Sequence, residues 1–377
     1  MTAAEYAEYA EHPAVRVVSL LACVLLVGVL LVQAEIKTLR SIGNDFTSYL
    51  TAARALTDHT NPYSIPSRFP YSYPLTLAWM LIPFLALPLW LAGAAWFGIG
   101  VWCFVYVVSA SARAAGVRLT AWQTTVAAVF VGFALLQIVQ NELLNGQVNL
   151  VVAALTLAAV LAVTRGARVL AAALWGLAVA IKLFPLILVP WFVLRRQWTA
   201  LAAGLAIAAG LCLVPAAWIG FDAVSWTSDY FRSLVDGRAG AVSDWIHLNL
   251  AWLIARLSGF AEPPLWLAGA TAACLVAAMM LLDWRTRRAR GETRSVVLYL
   301  LLVVLVSPKS ETHHMVFTIP AVTALAVHAS SAARWIGLAA LIVIFNVGYV
   351  VAAVRDPFLL IFVLGTGIWC AYDLARR

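Results

Sequence analysis

Long apolar runs fill most of the chain, and the polar residues fall between them in short clusters. A helix of about 20 apolar residues spans the hydrocarbon core of a bilayer. Reading from one arginine-bearing cluster to the next predicts about twelve crossings, since most of the runs approach that length. They fall at 17–35, 89–111, 122–140, 148–163, 169–183, 184–197, 199–220, 264–283, 295–308, 315–328, 335–353 and 358–374. Residues 75–88 are apolar but broken by Pro74, Pro83 and Pro88, so they read as a dip or half-helix. The segments 169–183 and 184–197 are short for a crossing. They meet at Lys182-Leu183-Phe184-Pro185, which places that turn below the outer surface. Irregular backbone at membrane depth is tolerated where it lines a cavity or is buried in protein, so a cavity is expected there.

Composition agrees with this pattern. Of 377 residues 64% are apolar and 11% charged, against about 25% charged in a soluble domain. The expectation is an all-α polytopic membrane protein, a single integral membrane domain over 1–377 with two long outer loops, 36–74 and 221–263. The second loop carries a semi-apolar stretch, Leu248 to Leu257, that can lie on the membrane. No internal repeat is evident, and the inner loops are too short to hold a catalytic domain.

The net charge of +8 invites a nucleic-acid reading, which its placement rejects. If the chain starts in the cytoplasm, fifteen arginines and six acids fall on the inner side, and ten basic and eleven acidic residues on the outer. Excess Arg and Lys in short cytoplasmic loops is the positive-inside signal. It places both termini in the cytoplasm and the polar loops outside a cytoplasmic (inner) membrane. Lys37, Lys182 and Lys309, the three lysines, all fall on the outer side. The five cysteines lie in apolar runs without C-x-x-C spacing and read as packing residues. Val17 to Ala34 resembles a signal h-region, but three preceding glutamates and its length favour a retained first helix.

The outer polar residues need explaining. The first loop holds Asn44-Asp45-Phe46, Tyr49, Asn61-Pro62-Tyr63 and Tyr71-Ser72-Tyr73-Pro74. Asn44 or Asp45 can cap a helix beginning near Phe46, because a short polar side chain accepts from first-turn amides. Further on, Asn141-Glu142 leads into Gly146-Gln147-Val148-Asn149 at the start of an apolar helix, where the Gln147 and Asn149 amides would face a shared cavity. Lys182 interrupts an apolar helix pair. Intramembrane charges are costly and usually functional, while snorkelling to the interface is the other reading. Finally Ser307-Pro308-Lys309-Ser310-Glu311-Thr312-His313-His314 precedes an apolar run. It is either a solvated loop or, at a helix start, a site for an anion such as phosphate. Adjacent histidines without cysteine partners argue against zinc.

Together these residues resemble the family 87 glycosyltransferases of the GT-C superfamily. The resemblance rests on Asp45-Phe46, Tyr49, Ala52-Ala53, Pro62-Tyr63, Tyr73-Pro74, Gly146-Gln147-Val148-Asn149, Lys182-Leu183-Phe184-Pro185 and Ser307 to His314, in the family's order across some 300 residues. Two positions depart from it: Leu75 follows Tyr73-Pro74 where a second proline is usual, and Glu311 stands where an aromatic residue is common.

The resemblance implies a GT-C-like helical bundle and a polyprenyl-phosphate-sugar-dependent transferase, with an α-mannosyltransferase expected. The donor would be a polyprenyl-phosphate sugar and the acceptor a membrane glycolipid or lipoglycan, with the bilayer as surroundings and no nucleic acid involved. Nucleotide sugars are absent outside the cytoplasmic membrane, so such a donor suits an outer-face enzyme. No Asp-x-Asp metal motif occurs in the outer loops, so cationic side chains rather than a metal or other cofactor are expected to meet the phosphate. Asp45 is the expected base. His314, His313, Lys309 and Lys182 are candidates for the donor phosphate, and Gln147, Asn149, Tyr49 and Tyr63 for the sugar or acceptor. Another lipid-linked sugar, such as arabinofuranose, is the alternative within the class, and a transporter or lipid flippase outside it.

Overall fold

The computed structural model describes residues 12–40, 43–67, 69–235, 249–260, 263–286, 293–307, 312–351 and 355–376. Seventeen α-helices and four short 3-10 segments occur among the described residues. Helix α1 (Pro13–Thr38) begins with Pro13 after His12, whose ring accepts from the Ala14 amide. Proline suits a first helical position because its missing N–H has no partner to lose there. Helix α2 (Asp45–Thr57) lies in the first long loop. Helix α3 (Leu75–Leu81) opens after Pro74 and gives way at Ile82–Ala86 to a 3-10 turn containing Pro83. Pro88 then precedes α4 (Leu89–Ala114), so 75–88 is the expected half-helix.

The run expected as one crossing over 122–140 is two helices, α5 (Ala121–Ala134) and α6 (Leu136–Asn145), bent by 92°. Proline and glycine are absent from the joint at Leu135. Tertiary contacts make the break. Asn346 donates to the freed Ala134 carbonyl at 3.1 Å, and Gln140 donates to Gln33 of α1 at 3.1 Å. A kink needs partners for the backbone groups it releases, and Asn346 supplies one.

Next come α7 (Asn149–Thr164) and α8 (Arg168–Ile181), an antiparallel pair. Helix α8 stops because Pro185 lacks the N–H that would bond the Ile181 carbonyl. Lys182 is extended and Phe184–Leu188 is 3-10, leading into α9 (Val189–Leu194). Trp175, fully buried, donates to the Pro185 carbonyl at 2.9 Å and pins this turn. Helix α10 (Trp198–Ile219) packs closely on α8. A Cβ on Gly176 would lie 2.6 Å from the Gly204 carbonyl oxygen. Small residues allow such approach between membrane helices.

The second long loop contains α11 (Asp222–Val235) and α12 (Leu250–Leu257). Asn61 donates to Asp229 of α11 at 2.9 Å, so the two long loops touch. Helices α13 (Leu265–Thr286), α14 (Val296–Val306), α15 (Ile319–Val327), α16 (Ala332–Val350) and α17 (Arg355–Arg376) complete the bundle, with Thr312–Thr318 in 3-10 form before α15.

Among the described residues six helices are long and apolar enough to cross a membrane, or seven if α5 and α6 form one broken span. Asn149–Thr164, Arg168–Ile181, Phe184–Leu194, Val296–Val306 and His313–Val327 are apolar but shorter, at 10–17 residues. The chain is therefore an all-helical, multi-pass membrane protein, and six or seven spans of full length stand where twelve crossings are expected.

Two of the charges counted on the arginine-rich side, Arg195 and Asp283, are buried. Arg195 donates to both Asp283 oxygens, at 2.7 and 3.0 Å, and to Ser295 at 3.0 Å, and its guanidinium lies 4.5 Å from the centre of the Trp191 ring. This bidentate pair ties the end of α9 to α13 and α14. All five cysteines are free, and Cys274 is exposed rather than packed.

Candidate functional site

The first long loop is held by Asn44, which takes the capping role left open between it and Asp45. Its side chain accepts from Thr47 N at 3.1 Å, while Thr47 Oγ1 accepts from Asn44 N at 2.8 Å. Its amide also donates to Thr38 at 2.9 Å and to the Leu144 carbonyl at 3.3 Å, fastening α2 to α1 and to the end of α6. With the cap supplied by its neighbour, Asp45 is released for another task. Gln147 Nε2 donates to Asp45 Oδ2 at 2.7 Å.

Gln147 reaches Asp45 because α6 ends on Gly146, which has φ of +62°. A Cβ there would meet Phe46 Cβ at 2.6 Å, so glycine is required twice, by backbone conformation and by space. The Gly146 carbonyl accepts from Trp96 at 2.8 Å, and Phe46 stacks on the same indole with ring centres 5.4 Å apart.

Two tyrosines extend the cluster. Tyr73 donates to Gln147 Oε1 at 3.1 Å, and Tyr49 donates to the Tyr73 hydroxyl at 3.1 Å. Both rings are buried. Burial, with Tyr73 alongside, holds the Tyr49 phenol well above its usual range, so it stays a neutral donor. Tyr73, read in the sequence only within the Tyr73-Pro74 motif, is part of this cluster. Tyr63, expected at the site, stands apart among Tyr71 and Tyr230, its hydroxyl donating to the Tyr73 carbonyl at 2.7 Å.

The second half of the cluster is cationic. Lys182 Nζ lies 5.0 Å from the centre of the Tyr73 ring and 4.6 Å from that of Phe184, contacts favourable to a cation. It donates to Asn149 Oδ1 at 2.7 Å. His314 is buried with its ring edge-to-face on Phe184 at 4.7 Å, and His313 lies against it at 4.3 Å. Lys309 lies outside the described residues.

Glu142 and Lys37 were not singled out from the sequence. Glu142 is 1% exposed and accepts from Asn149 Nδ2 and from Leu150 N, each at 3.1 Å. Burial pushes its carboxyl up to about 7, while His313, Asn149 and Lys182 favour the ionised form. Lys37 donates to Asn145 Oδ1 and interacts electrostatically with Asp45. Their surroundings, not their spacing, mark them. Among the described residues no three His, Cys, Asp or Glu side chains gather as a metal site.

The arrangement therefore places a carboxylate, oriented by an amide, on one side of Tyr73 and a lysine with two imidazoles on the other. A carboxylate can take a proton from a hydroxyl, and cations can neutralise an anionic group beside it.

The bundle and this cluster define a multi-pass helical membrane protein whose polar residues converge from separate loops and helix ends. The model of glycosyltransferase family 87 matches residues 71–308. That is more than half of the chain, and the chain belongs to this family.

Curated relatives are mycobacterial. A polyprenol-phosphate-mannose-dependent alpha-(1-2)-phosphatidylinositol mannoside mannosyltransferase of Mycolicibacterium smegmatis is 34% identical over 166 residues, 41% of this chain and 36% of that protein. A polyprenol-phosphate-mannose-dependent alpha-(1-2)-phosphatidylinositol pentamannoside mannosyltransferase of the same organism is 29% identical over 258 residues, 67% of this chain and 60% of that protein. A polyprenol-phosphate-mannose-dependent alpha-(1-2)-phosphatidylinositol mannoside mannosyltransferase of Mycobacterium tuberculosis is 33% identical over 150 residues, 39% of this chain and 34% of that protein. The chain thus spans between about a third and three fifths of the length of these relatives.

Proposed function

We propose that this protein transfers mannose from a polyprenyl-phosphate donor to a membrane glycolipid of the phosphatidylinositol mannoside kind. The donor and acceptor classes are those named for its relatives. The observation that carries the reading is the Asp45 carboxylate, held by Gln147 at 2.7 Å across Tyr73 from Lys182. Asp45 takes the proton of the acceptor hydroxyl as that oxygen attacks the anomeric carbon. The bond to phosphate breaks on the opposite face, so a β-linked donor yields an α-linked product. A glycosidase needs a second carboxylate to protonate a poor leaving group. Phosphate leaves as an anion, and His314, His313, Lys182 and Lys309 stabilise it. Gln147, Asn149 and Tyr49 meet the sugar or acceptor, and Tyr63 holds the loop beneath them.

On this reading the chain is a single catalytic unit with a twelve-crossing, GT-C-like topology, the short helices being tilted or recessed. The cluster faces outward from the cytoplasmic membrane, and the termini lie inside. The test is a transfer assay with purified protein, radiolabelled polyprenyl-phosphate mannose and a glycolipid extract. Label in a new glycolipid, lost in Asp45→Asn by about 10²-fold or more, supports the assignment. Transfer from a lipid-linked pentose alone replaces the sugar, and normal activity in Asp45→Asn removes Asp45 from the role.

A further inference from the structure

Glu142 stands behind the polar cluster rather than in it. It sits on α6, is 1% exposed, and both of its oxygens accept hydrogen bonds. One comes from the Leu150 amide in the first turn of α7. That helix has no side-chain cap of its own at Val148, so the Glu142 carboxylate supplies the missing acceptor and places negative charge at the positive end of the helix. The other comes from Asn149 Nδ2, and Asn149 Oδ1 accepts from Lys182 at 2.7 Å. Asn149 is fully buried.

This chain of contacts has a direction. An ionised glutamate only accepts, a lysine ammonium only donates, and an asparagine side chain has one face of each kind. Set between them, Asn149 satisfies both in one orientation alone, with NH2 toward Glu142 and oxygen toward Lys182. We propose that Glu142 is a positioning residue for the donor-phosphate site: by locking the orientation of the Asn149 amide, it holds the Lys182 ammonium in place beside Tyr73 and Phe184. This rests on the transferase reading above. Its carboxyl also interacts electrostatically with His313. Glu142 touches neither sugar nor phosphate and acts through Asn149.

The direction of the chain makes the inference testable by polarity, at nearly constant volume. In Glu142→Gln the single remaining oxygen is claimed by the Leu150 amide. The new NH2 group then faces Asn149, whose oxygen must turn toward it, leaving NH2 against the Lys182 ammonium. Asn149→Asp alone sets two carboxylates side by side. Combined, the two changes restore an unbroken order of donors and acceptors, from Lys182 to the aspartate, from the glutamine NH2 to that aspartate, and from Leu150 N to the glutamine oxygen.

The experiment uses the full chain in lipid nanodiscs, with polyprenyl-phosphate mannose varied at saturating glycolipid acceptor, and then the reverse. Polyprenyl monophosphate serves as competitor, and the melting temperature of each variant is recorded. Each single variant should lose about 10- to 100-fold in kcat/KM for the donor and in affinity for the competitor, the range expected for a misplaced charge-assisted contact. In Glu142→Gln the acceptor KM should be unchanged. The double variant should recover most of the loss, a coupling that independent sites do not show. Should Glu142→Gln fail to fold, Asn149→Ala leaves the Leu150 contact with Glu142 intact and must show the same donor-specific loss. Unchanged donor kinetics in a folded Glu142→Gln or Asn149→Ala, or a double variant no better than the worse single, would overturn the inference alone. Absence of transfer by the unmodified protein would overturn the transferase reading and this inference with it.

Discussion

Gln147 donates to Asp45 at 2.7 Å although 102 residues separate them in the chain. The contact joins the first turn of α2 to the residue after the Gly146 turn, and it gives the carboxylate a fixed rotamer. Replacing the amide by a second carboxylate reverses its effect. In Gln147→Glu two like charges compete for one proton, which raises the pH at which Asp45 is ionised by about a unit or more. A base works only when deprotonated, so the acidic limb of the rate profile should move to higher pH. Rates measured from pH 5 to 9 check this, and an unshifted profile with reduced kcat would mean that Gln147 serves the sugar instead.

His314 is buried against Phe184, beside the aromatic face that also receives Lys182. His314→Ala removes a donor from the anionic side of the reaction and leaves Asp45 and Gln147 untouched. Donor kcat/KM should fall by about 10-fold or more with every acceptor tried. A loss confined to one acceptor would place His314 on the acceptor side.

The Arg195–Asp283 pair makes a prediction about stability alone. Its side chains are 0% and 2% exposed. Asp283→Leu would strand a buried guanidinium, a change that typically costs about 3–5 kcal/mol. Thermal unfolding in detergent should show a large drop in melting temperature, while the donor KM of surviving protein stays normal. Replacing both residues with apolar ones should recover part of the loss.

Gly146→Ala tests the turn between α6 and α7. The left-handed backbone costs an alanine about 1–2 kcal/mol, and its Cβ would meet Phe46 Cβ at 2.6 Å. Relief requires moving Phe46, next to Asp45, or Gln147. Activity should therefore fall by more than the melting temperature suggests, and equal losses in the two would show the turn to be structural only.

Much of this was legible in the sequence. The apolar runs and arginine clusters locate the helices to within a few residues, because lipid leaves a chain few options besides helix. Prolines mark the half-helix before α4 and the early end of α8. The break at Leu135 had no such mark, since the agent is Asn346, more than 200 residues away. Asp45, Gln147, Asn149 and Lys182 were visible as polar residues in unusual places, and the structure brings all four together. Tyr73 meets Gln147 directly while Tyr63 meets the Tyr73 carbonyl, a difference that packing rather than sequence makes. Glu142 looked like one more polar residue of a turn, since burial and the two donors at the start of α7 are properties of the folded chain. Arg195 and Asp283 look like any loop charges until their partners are known.

The early end of α8 has an energetic consequence for the donor. Fourteen residues at 1.5 Å each carry the helix about 21 Å from Arg168, short of the roughly 30 Å depth of the hydrocarbon layer. A prenyl phosphate that meets Lys182 at this level approaches sideways and leaves its isoprene tail in oil throughout. Raising the same tail into water would cost about 0.8 kcal/mol for every methylene exposed, soon exceeding what a phosphate contact returns. On the proposed reading the donor would slide in along the leaflet, and the hydrophilic head of the acceptor would be the part that descends.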